Sequence, residues 1–345
     1  MAVSNPSQLL LRNTDLLDSK HPLVVGCPDV ELIKELTQLY PDAKVTSYQI
    51  NYAQHQAISK ACQNVHCEFG EQYQSKQQHD LVIFYFPKSK PEFTMQMAML
   101  SNSLSDNAIV LFVGENKGGV KSAAKLAADY ALRCDKVDSA RHCLLYEMVF
   151  NNNRSAFVLD DWYRQYQIQQ GDTALTICAL PGVFSHAELD IGTQLLLQHI
   201  PDKVTGKVLD FGCGAGVIGC YIKMANRDAD IEMIDVNALA IASAEKTLAV
   251  NKLSGNVYAS DGLSNVGQGY QLVVSNPPFH QGLKTHYQTT EVFLQSVKNK
   301  INKNGKLTIV ANSFLKYAPI IEKQFGHSNL LANHKGFAIH QAQKR

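Results

Sequence analysis

The sequence of 345 residues contains no long apolar run and no strong excess of either charge. No stretch approaches the roughly 18 consecutive apolar residues that a membrane-spanning helix needs. The first residues also lack the basic and then apolar pattern of a secretory signal. The net charge of +1 at pH 7 gives by itself no indication of a nucleic-acid partner. We therefore expect a cytoplasmic protein with no membrane partner.

Paired metal-ligand motifs are missing as well. The eight cysteines include no Cys-x-x-Cys pair, and the twelve histidines include no His-x-x-x-His pair. In a reducing compartment, scattered cysteines are usually small buried apolar side chains. The sequence therefore predicts neither a disulfide framework nor a metal site.

In the second half of the chain, short β-branched runs alternate with helical patterns, which indicates a parallel sheet covered by helices. The predicted strands are residues 207–210, 231–235, 256–261, 270–275 and 306–311. The predicted helices begin near Val217 and cover residues 237–251 and 291–303, the last ended by Asn304-Gly305. Residues 329–340 predict a closing hairpin.

The first half repeats this order with altered motifs. Residues 22–27 correspond to the first strand and its turn, but Pro28-Asp29 stands where further glycine would be needed. The second strand, residues 44–48, lacks a terminal acid, and Tyr85-Phe86-Pro87 ends the strand that parallels residues 269–278. We predict two similar domains, of which only the second retains the chemistry. The expected domains are residues 1–160 and residues 161–345.

A glycine-rich motif follows the first strand of the second domain. The motif contains Asp210, Gly212, Gly214 and Gly216 and precedes a predicted helix. Glycines let the backbone approach a ligand closely, and a helix N-terminus supplies free N–H groups and positive potential. Asp235 ends the next strand, where a carboxylate can bind ribose hydroxyls. These residues are the candidate cofactor site.

The glycine motif alone leaves the cofactor open. Residues 214–219 also fit the G-x-G-x-x-G pattern of dinucleotide-binding dehydrogenases, and Asp235 suits NAD equally well. Asp261 ends the third strand and is suited to accept the adenine amino group of a cofactor. Its alternative role is that of a helix cap.

The motif Asn276-Pro277-Pro278-Phe279 follows the fourth strand, at the sheet edge where open α/β folds bind ligands. An amino group conjugated with a ring is a poor nucleophile. Acceptors from the Asn276 side chain and the Pro277 carbonyl can hold both of its hydrogens and orient its nitrogen. The prolines stiffen the loop and Phe279 offers a flat face for a base. The motif favours a methyltransferase over a dehydrogenase, since a plain Pro-Pro turn explains neither Asn276 nor Phe279.

Residues from about 180 to 345 resemble the class I S-adenosylmethionine-dependent methyltransferases in the glycine motif, the two acids and the Asn-Pro-Pro-Phe motif. More specifically, several segments resemble the ribosomal RNA small subunit methyltransferase C family. These segments are residues 113–122, 180–185, 189–196, 275–282 and 309–315.

This resemblance implies an α/β protein of two tandem Rossmann-like class I methyltransferase domains. The sheet is expected to be mostly parallel with a C-terminal antiparallel hairpin, and the N-terminal copy to be degenerate. The implied reaction is methyl transfer from S-adenosylmethionine to N2 of a guanine in 16S ribosomal RNA, with the RNA within the small ribosomal subunit as the expected partner. The first domain would recognise RNA or support the second, and we expect a monomer. The substrate-binding residues would be Phe184, Ser185, Phe279 and His280, although a lone histidine beside a pocket is more often structural.

Three other functions remain open from the residues alone. The carboxamide of a glutamine side chain fits the same Asn-Pro-Pro pocket as the amino group of guanine. An N5-glutamine protein methyltransferase is therefore an alternative. Such enzymes usually carry tyrosine where this chain has Phe279, and their first half is helical rather than duplicated. A noncatalytic RNA-binding scaffold fits the first domain better than the second. An NAD-dependent dehydrogenase is the third alternative.

Overall fold

The computed structural model describes residues 3–154, 156–277 and 284–345, with side chains in all of these except 284–288. The chain divides into two compact units, Met1–Trp162 and Tyr163–Arg345. We call them the N-terminal unit and the C-terminal unit. No helix in the described part of the chain is long and apolar enough to cross a membrane.

The N-terminal unit contains one seven-stranded sheet. Its strands are β1 Pro22–Val25, β2 Thr46–Gln49, β3 His66–Phe69, β4 His79–Tyr85, β5 Leu104–Glu115, β6 Ala131–Ala140 and β7 Cys143–Phe150. Its α-helices are α1 Asn5–Leu11, α2 Val30–Leu39, α3 Tyr52–Ala61, α4 Lys90–Leu100 and α5 Ala123–Leu126. The strand order is β3-β2-β1-β4-β5-β7-β6. Strands β1 to β5 are parallel, and β7 is antiparallel to both of its neighbours.

The C-terminal unit begins with a two-stranded hairpin and continues with a second seven-stranded sheet. Its strands are β8 Arg164–Gln170, β9 Thr173–Ala179, β10 Gly206–Phe211, β11 Ala229–Asp235, β12 Asn256–Ala259, β13 Tyr270–Ser275, β14 Ile301–Asn312, β15 Asn329–His334 and β16 Phe337–Gln343. Its α-helices are α6 Ile191–Leu197, α7 Val217–Ala225, α8 Ala238–Val250, α9 Lys284–Ser296 and α10 Tyr317–Phe325. The order β12-β11-β10-β13-β14-β16-β15 repeats that of the first sheet. The predicted two-domain α/β architecture with a C-terminal antiparallel hairpin is confirmed, and the first sheet contains a corresponding hairpin of β6 and β7.

The central strands of the second sheet are almost continuous apolar runs, as expected for parallel strands buried on both faces. On one face, Leu209 and Val273 pack against α9 and α10 through Phe293, Tyr317 and Ile321. The sheet order reverses between β10 and β13. Such a switch point opens a crevice at the carboxyl ends of the strands.

The prediction was wrong about the segment between α9 and β14. A helix over 291–303 and a strand from 306 were expected, but α9 ends at Ser296 and β14 begins at Ile301. Asn304 adopts φ +66, and the register of β14 with β13 is interrupted beside it. A Cβ on Gly305 would lie 2.8 Å from the Tyr270 carbonyl oxygen. The Asn-Gly pair therefore forms an irregularity within a strand, although its sequence is equally typical of a helix stop.

The hairpin of β8 and β9 is held by side chains of α8. Ser243, Thr247 and Asn251 lie one helical turn apart and accept hydrogen bonds from three backbone N–H groups on and after β9, each at 3.0 Å. The open edge of β9 is therefore satisfied by a helix rather than by another strand. This attachment fixes the point from which residues 180–190 leave the hairpin.

The two sheets have equivalent registers, so corresponding residues can be compared. Val25 pairs with Tyr48 and Phe84, as Phe211 pairs with Ile234 and Ser275. One residue further along each strand, Gln49 stands in the place of Asp235 and Tyr85 in the place of Asn276. Pro28 likewise stands in the place of Gly214.

In the N-terminal unit, α1 lies against the loop that follows β1. Asp29 accepts a hydrogen bond from the backbone N–H of Ser4 at 3.2 Å and others from the Ser4 and Ser7 hydroxyls. Ser7 is fully buried, and its Oγ lies 2.5 Å from the Tyr85 hydroxyl. Because the Ser7 proton goes to the carboxylate, Tyr85 donates to Ser7. The place of the expected cofactor loop is therefore taken up by protein side chains in this unit.

Removing one member of this network should destabilise the N-terminal unit. We expect Ser7→Ala to lower its free energy of unfolding by about 1–3 kcal/mol, because the buried Tyr85 hydroxyl loses its acceptor. The single tryptophan, Trp162, packs on the core of this unit, so its fluorescence during urea unfolding is the measurement. Adding Tyr85→Phe to Ser7→Ala should lower the free energy of unfolding little further, because both partners of the hydrogen bond are then removed. If each of the two substitutions lowered the free energy of unfolding by the same amount, the result would contradict a hydrogen bond between Ser7 and Tyr85.

Candidate functional site

The glycine motif forms the turn between β10 and α7. Gly212, Gly214 and Gly216 adopt φ angles of +70, +54 and +76. At Gly216 a Cβ would also lie 3.0 Å from the Cβ of Ala244, so no larger residue fits this turn. A Cβ on Gly212 would meet no atom within 4 Å, which leaves open space above the loop.

Asp210 lies fully buried beneath this loop. Its Oδ2 accepts a hydrogen bond of 2.8 Å from the backbone N–H of Gly219 in the first turn of α7, and its Oδ1 has no partner among the described residues. Burial, reinforced by the charge of Asp235, raises the pKa of Asp210 to about 7. Its side chain thus joins the strand to the helix and does not line the open space.

Asp235 joins the end of β11 to the same loop. Its Oδ2 accepts from the backbone N–H of Gly214 at 3.0 Å, and its Oδ1 accepts from that of Asn237 at 2.9 Å. Burial raises the pKa of this carboxyl as well. A carboxylate has about four acceptor positions, so Asp235 keeps capacity for the hydroxyls of a ligand.

Asn276 follows β13 directly. Its Nδ2 donates to Thr193 Oγ1 at 2.7 Å and to Asp190 Oδ2 at 3.1 Å, while its Oδ1 is buried without a partner among the described residues. Pro277 is buried behind it. Pro278, Phe279 and His280 lie outside the described residues.

Phe184 and Ser185 reach the same place from the segment after β9. Phe184 is 52% exposed, and Ser185 adopts φ +58 with a buried Oγ that lacks a partner among the described residues. Together with the loop they line a shallow cleft that is open to solvent. Its lining residues are Phe184, Ser185, Thr193, Gly212, Cys213, Gly214, Ala215, Val217, Ile218 and Asn276.

Asp261 lies at the same edge of the sheet but outside this lining. It follows Ser260, whose N–H donates to the Asp235 carbonyl at 3.0 Å, and its own carbonyl accepts from Ser264 in a turn. Its side chain is exposed. The position beside Asp235 remains compatible with the predicted contact to a cofactor.

No role was predicted for Asp190 and Thr193, although both contact Asn276. The local signals are that Asp190 is the N-cap of α6 and that both residues lie in the segment 189–196, which resembles the family. Eighty-six positions separate Asp190 from Asn276, so no spacing rule connects them. Among the described residues no group of three or more His, Cys, Asp or Glu side chains is arranged to hold a metal ion.

The raised pKa of Asp210 makes a prediction about stability and pH. A carboxyl whose pKa is about 7 when folded and 3.8 when unfolded stabilises the fold most below the unfolded value. That contribution is lost as pH rises through the folded value. Asp210→Asn removes the titration and retains an acceptor for Gly219. We therefore expect its melting temperature to rise relative to the parent protein as pH increases from about 5 to about 8. If the difference in melting temperature between Asp210→Asn and the parent protein stayed the same over this pH range, the result would contradict the prediction.

Comparison with known proteins identifies the family. The model of the methyltransferase small domain matches residues 174–341, and that of its N-terminal domain matches residues 7–166. Ribosomal RNA small subunit methyltransferase C of Colwellia psychrerythraea is 48% identical over 99% of this chain and 98% of its own length. The same enzyme of Aliivibrio salmonicida is 41% identical over 100% of both.

A solved structure has the same fold along nearly the whole chain. It is the T. thermophilus 16S rRNA N2 G1207 methyltransferase in complex with AdoMet and guanosine, with a TM-score of 0.82 and 20% identity. The alignment covers 96% of this chain and 91% of that one. With two domain models and relatives that match end to end, the chain belongs to the ribosomal RNA small subunit methyltransferase C family.

Proposed function

We propose that this protein transfers a methyl group from S-adenosylmethionine to the exocyclic N2 of a guanine in 16S ribosomal RNA. The observation that carries this proposal is the buried Oδ1 of Asn276, which has no partner among the described residues and belongs to a side chain that lines the cleft beside the glycine loop. A hydrogen-bond acceptor in that position can bind an amino group, because an amino group donates hydrogen bonds. In the structural relative, the modified nucleotide is G1207, and we propose the equivalent guanine here.

The residues around the glycine loop fit the cofactor. Asp235 retains acceptor positions for ribose hydroxyls, and the open space above Gly212 lets a ligand approach the backbone. Asp261 stands beside Asp235 for the adenine amino group. Asp210 supports Gly219 and the start of α7 from below. When bound, S-adenosylmethionine supplies the methyl group as a sulfonium electrophile.

The chain's own residues position the nucleophile. Asn276 Oδ1 accepts one hydrogen of the guanine amino group, and the Pro277 carbonyl accepts the other. This arrangement directs the nitrogen lone pair toward the methyl donor. To enter the cleft, the guanine leaves its stack, which costs a few kcal/mol. Phe184 is exposed at the cleft and offers an apolar face, and Ser185 Oγ offers a hydrogen bond. Phe279 and His280 stay as predicted contacts to the base.

This step needs positioning more than acid–base chemistry. Methylation makes the amino nitrogen acidic, so its proton can pass to water without a dedicated base. An N5-glutamine methyltransferase and an NAD-dependent dehydrogenase, the alternatives left by the sequence, find no support in the family to which the chain belongs.

We propose that the domain of residues 1–160 recognises or supports the RNA, while the domain of residues 161–345 carries the single active site. Tyr85 and Pro28 in the positions of Asn276 and Gly214, together with the α1 contacts, support this division of roles. The proposed setting is the cytoplasm, where the protein acts as a monomer on 16S ribosomal RNA within the small subunit.

Transfer of tritium from labelled S-adenosylmethionine tests the reaction directly. The substrates to compare are naked 16S ribosomal RNA, isolated small subunits and whole ribosomes, each followed by nucleoside analysis. We expect label in N2-methylguanosine, with small subunits as the best substrate. Label in another nucleoside, or in ribosomal protein alone, would overturn the proposed function.

Two substitutions should separate catalysis from cofactor binding. Asn276→Ala should lower kcat by about 100- to 1000-fold, because an acceptor for the reacting group is lost. Its dissociation constant for S-adenosylhomocysteine should change little. Asp235→Ala should raise that constant by about 10- to 100-fold, since it removes charged hydrogen bonds. Asp230→Ala on the same strand is the matched control, because Asp230 is exposed. Identical effects of the two substitutions would contradict these roles.

A further inference from the structure

The Asn276 carboxamide has two ends of nearly the same shape and opposite hydrogen-bonding character. Its oxygen accepts hydrogen bonds, and its NH₂ group donates them. Only the oxygen can hold an amino group. A half-turn of the amide would place donors against donors. The orientation of this side chain therefore decides whether the cleft accepts or repels an amino nitrogen.

Asp190 and Thr193 contact the Nδ2 end of this amide. One Nδ2 hydrogen goes to Thr193 Oγ1 at 2.7 Å and the other to Asp190 Oδ2 at 3.1 Å. Thr193 Oγ1 lies 3.4 Å from the same carboxylate oxygen, which takes the hydroxyl proton and leaves the Thr193 lone pairs for Asn276. The NH₂ end of the amide thus has two acceptors, while Oδ1 has no partner in the part of the chain that the structure describes.

The carboxylate determines the direction of the amide because it can only accept hydrogen bonds. If the amide turned over, its oxygen would face the Asp190 carboxylate, and two acceptors would meet. The NH₂ group would then point into the cleft. A neutral partner at position 190 would leave both orientations accessible.

These two residues are themselves held firmly. Asp190 caps α6 by accepting from the Thr193 backbone N–H at 2.9 Å. Thr193 is buried. At Gly192 an added Cβ would lie 2.9 Å from the ring of Phe337 on β16, so the start of α6 sits tightly against the sheet. The cap therefore serves a second purpose beyond the stability of a short helix.

We propose that Asp190 and Thr193 are positioning residues that fix the Asn276 carboxamide with Oδ1 toward the amino group of the substrate. This inference rests on the proposed function, because it assigns these residues to the same site. It adds an acceptor-only carboxylate and a hydroxyl that act on the substrate through Asn276.

The test compares Thr193→Val, Thr193→Ser and Asp190→Asn with the parent protein. Valine removes only the hydroxyl, serine retains it, and asparagine retains a good helix cap while losing the acceptor-only carboxylate. We expect Thr193→Val and Asp190→Asn to lower kcat by about 10- to 100-fold, and Thr193→Ser to restore most of it. The dissociation constant for S-adenosylhomocysteine should stay within about twofold. Asn51→Ala, which removes the N-cap of α3, is the control for a loss of stability alone.

A double-mutant cycle with Asn276→Ala decides whether the two residues act through Asn276. In that background, under single-turnover conditions with enzyme in excess, Thr193→Val and Asp190→Asn should cause little further loss. Equal losses in both backgrounds, an unaffected Thr193→Val, or a Thr193→Ser as impaired as Thr193→Val would overturn the proposal. Failure of the parent protein to label guanine would instead overturn the proposed function.

Discussion

A hydrogen bond of 2.7 Å between Ser275 Oγ and the carbonyl oxygen of Phe211 joins the ends of β13 and β10, with both groups buried. These strands are neighbours at the point where the sheet order reverses. The glycine loop begins just after Phe211, and Asn276 follows Ser275. The register of one strand pair therefore sets the distance between the cofactor loop and the acceptor. A slip of one residue would turn Asn276 to the other face of the sheet.

The N-terminal unit has the same strand register, but different residues follow its strands. Its first loop begins in the same way, since the Gly26 N–H donates to the Tyr48 carbonyl at 3.0 Å, as Gly212 does to Ile234 at 2.9 Å. From that point the two loops differ, since Pro28 stands in the place of Gly214 and Asp29 follows it. The Asp29 carboxylate is partly buried and needs partners, and Ser4 and Ser7 at the start of α1 provide them. Side chains of the chain itself thus occupy the place beside the loop after β1 in this unit.

Sequence patterns predicted what depends on local order. The strand–glycine loop–helix unit around Gly212 and the strand before Asn276 were recognised because residues close in sequence determine them. Asn304-Gly305 was predicted to end a helix, but the same dipeptide is also typical of an irregularity within a strand. Only the pairing of β14 with β13 distinguishes these two structures. The turn between β6 and β7 gave no signal, since Arg141 and His142 adopt positive φ without glycine. Asp190 lies in a segment that was singled out, but its contact with Asn276 was not predicted because the two residues are distant in sequence.

The cleft combines polar atoms that the fold leaves unsatisfied with others that it satisfies fully. Asn276 Oδ1 is a buried acceptor without a partner among residues 3–154, 156–277 and 289–345. Leaving such an acceptor unpaired costs about 1–3 kcal/mol, and native proteins rarely tolerate it. The same amide has both donors paired, so the unpaired oxygen is not the result of loose packing. The cost falls on one atom, and a ligand with an amino group would relieve it. The unpaired oxygen of Asn276 therefore lowers the stability of the fold but suits the binding of an amino group. The carboxylate of Asp190 holds the amide in this orientation.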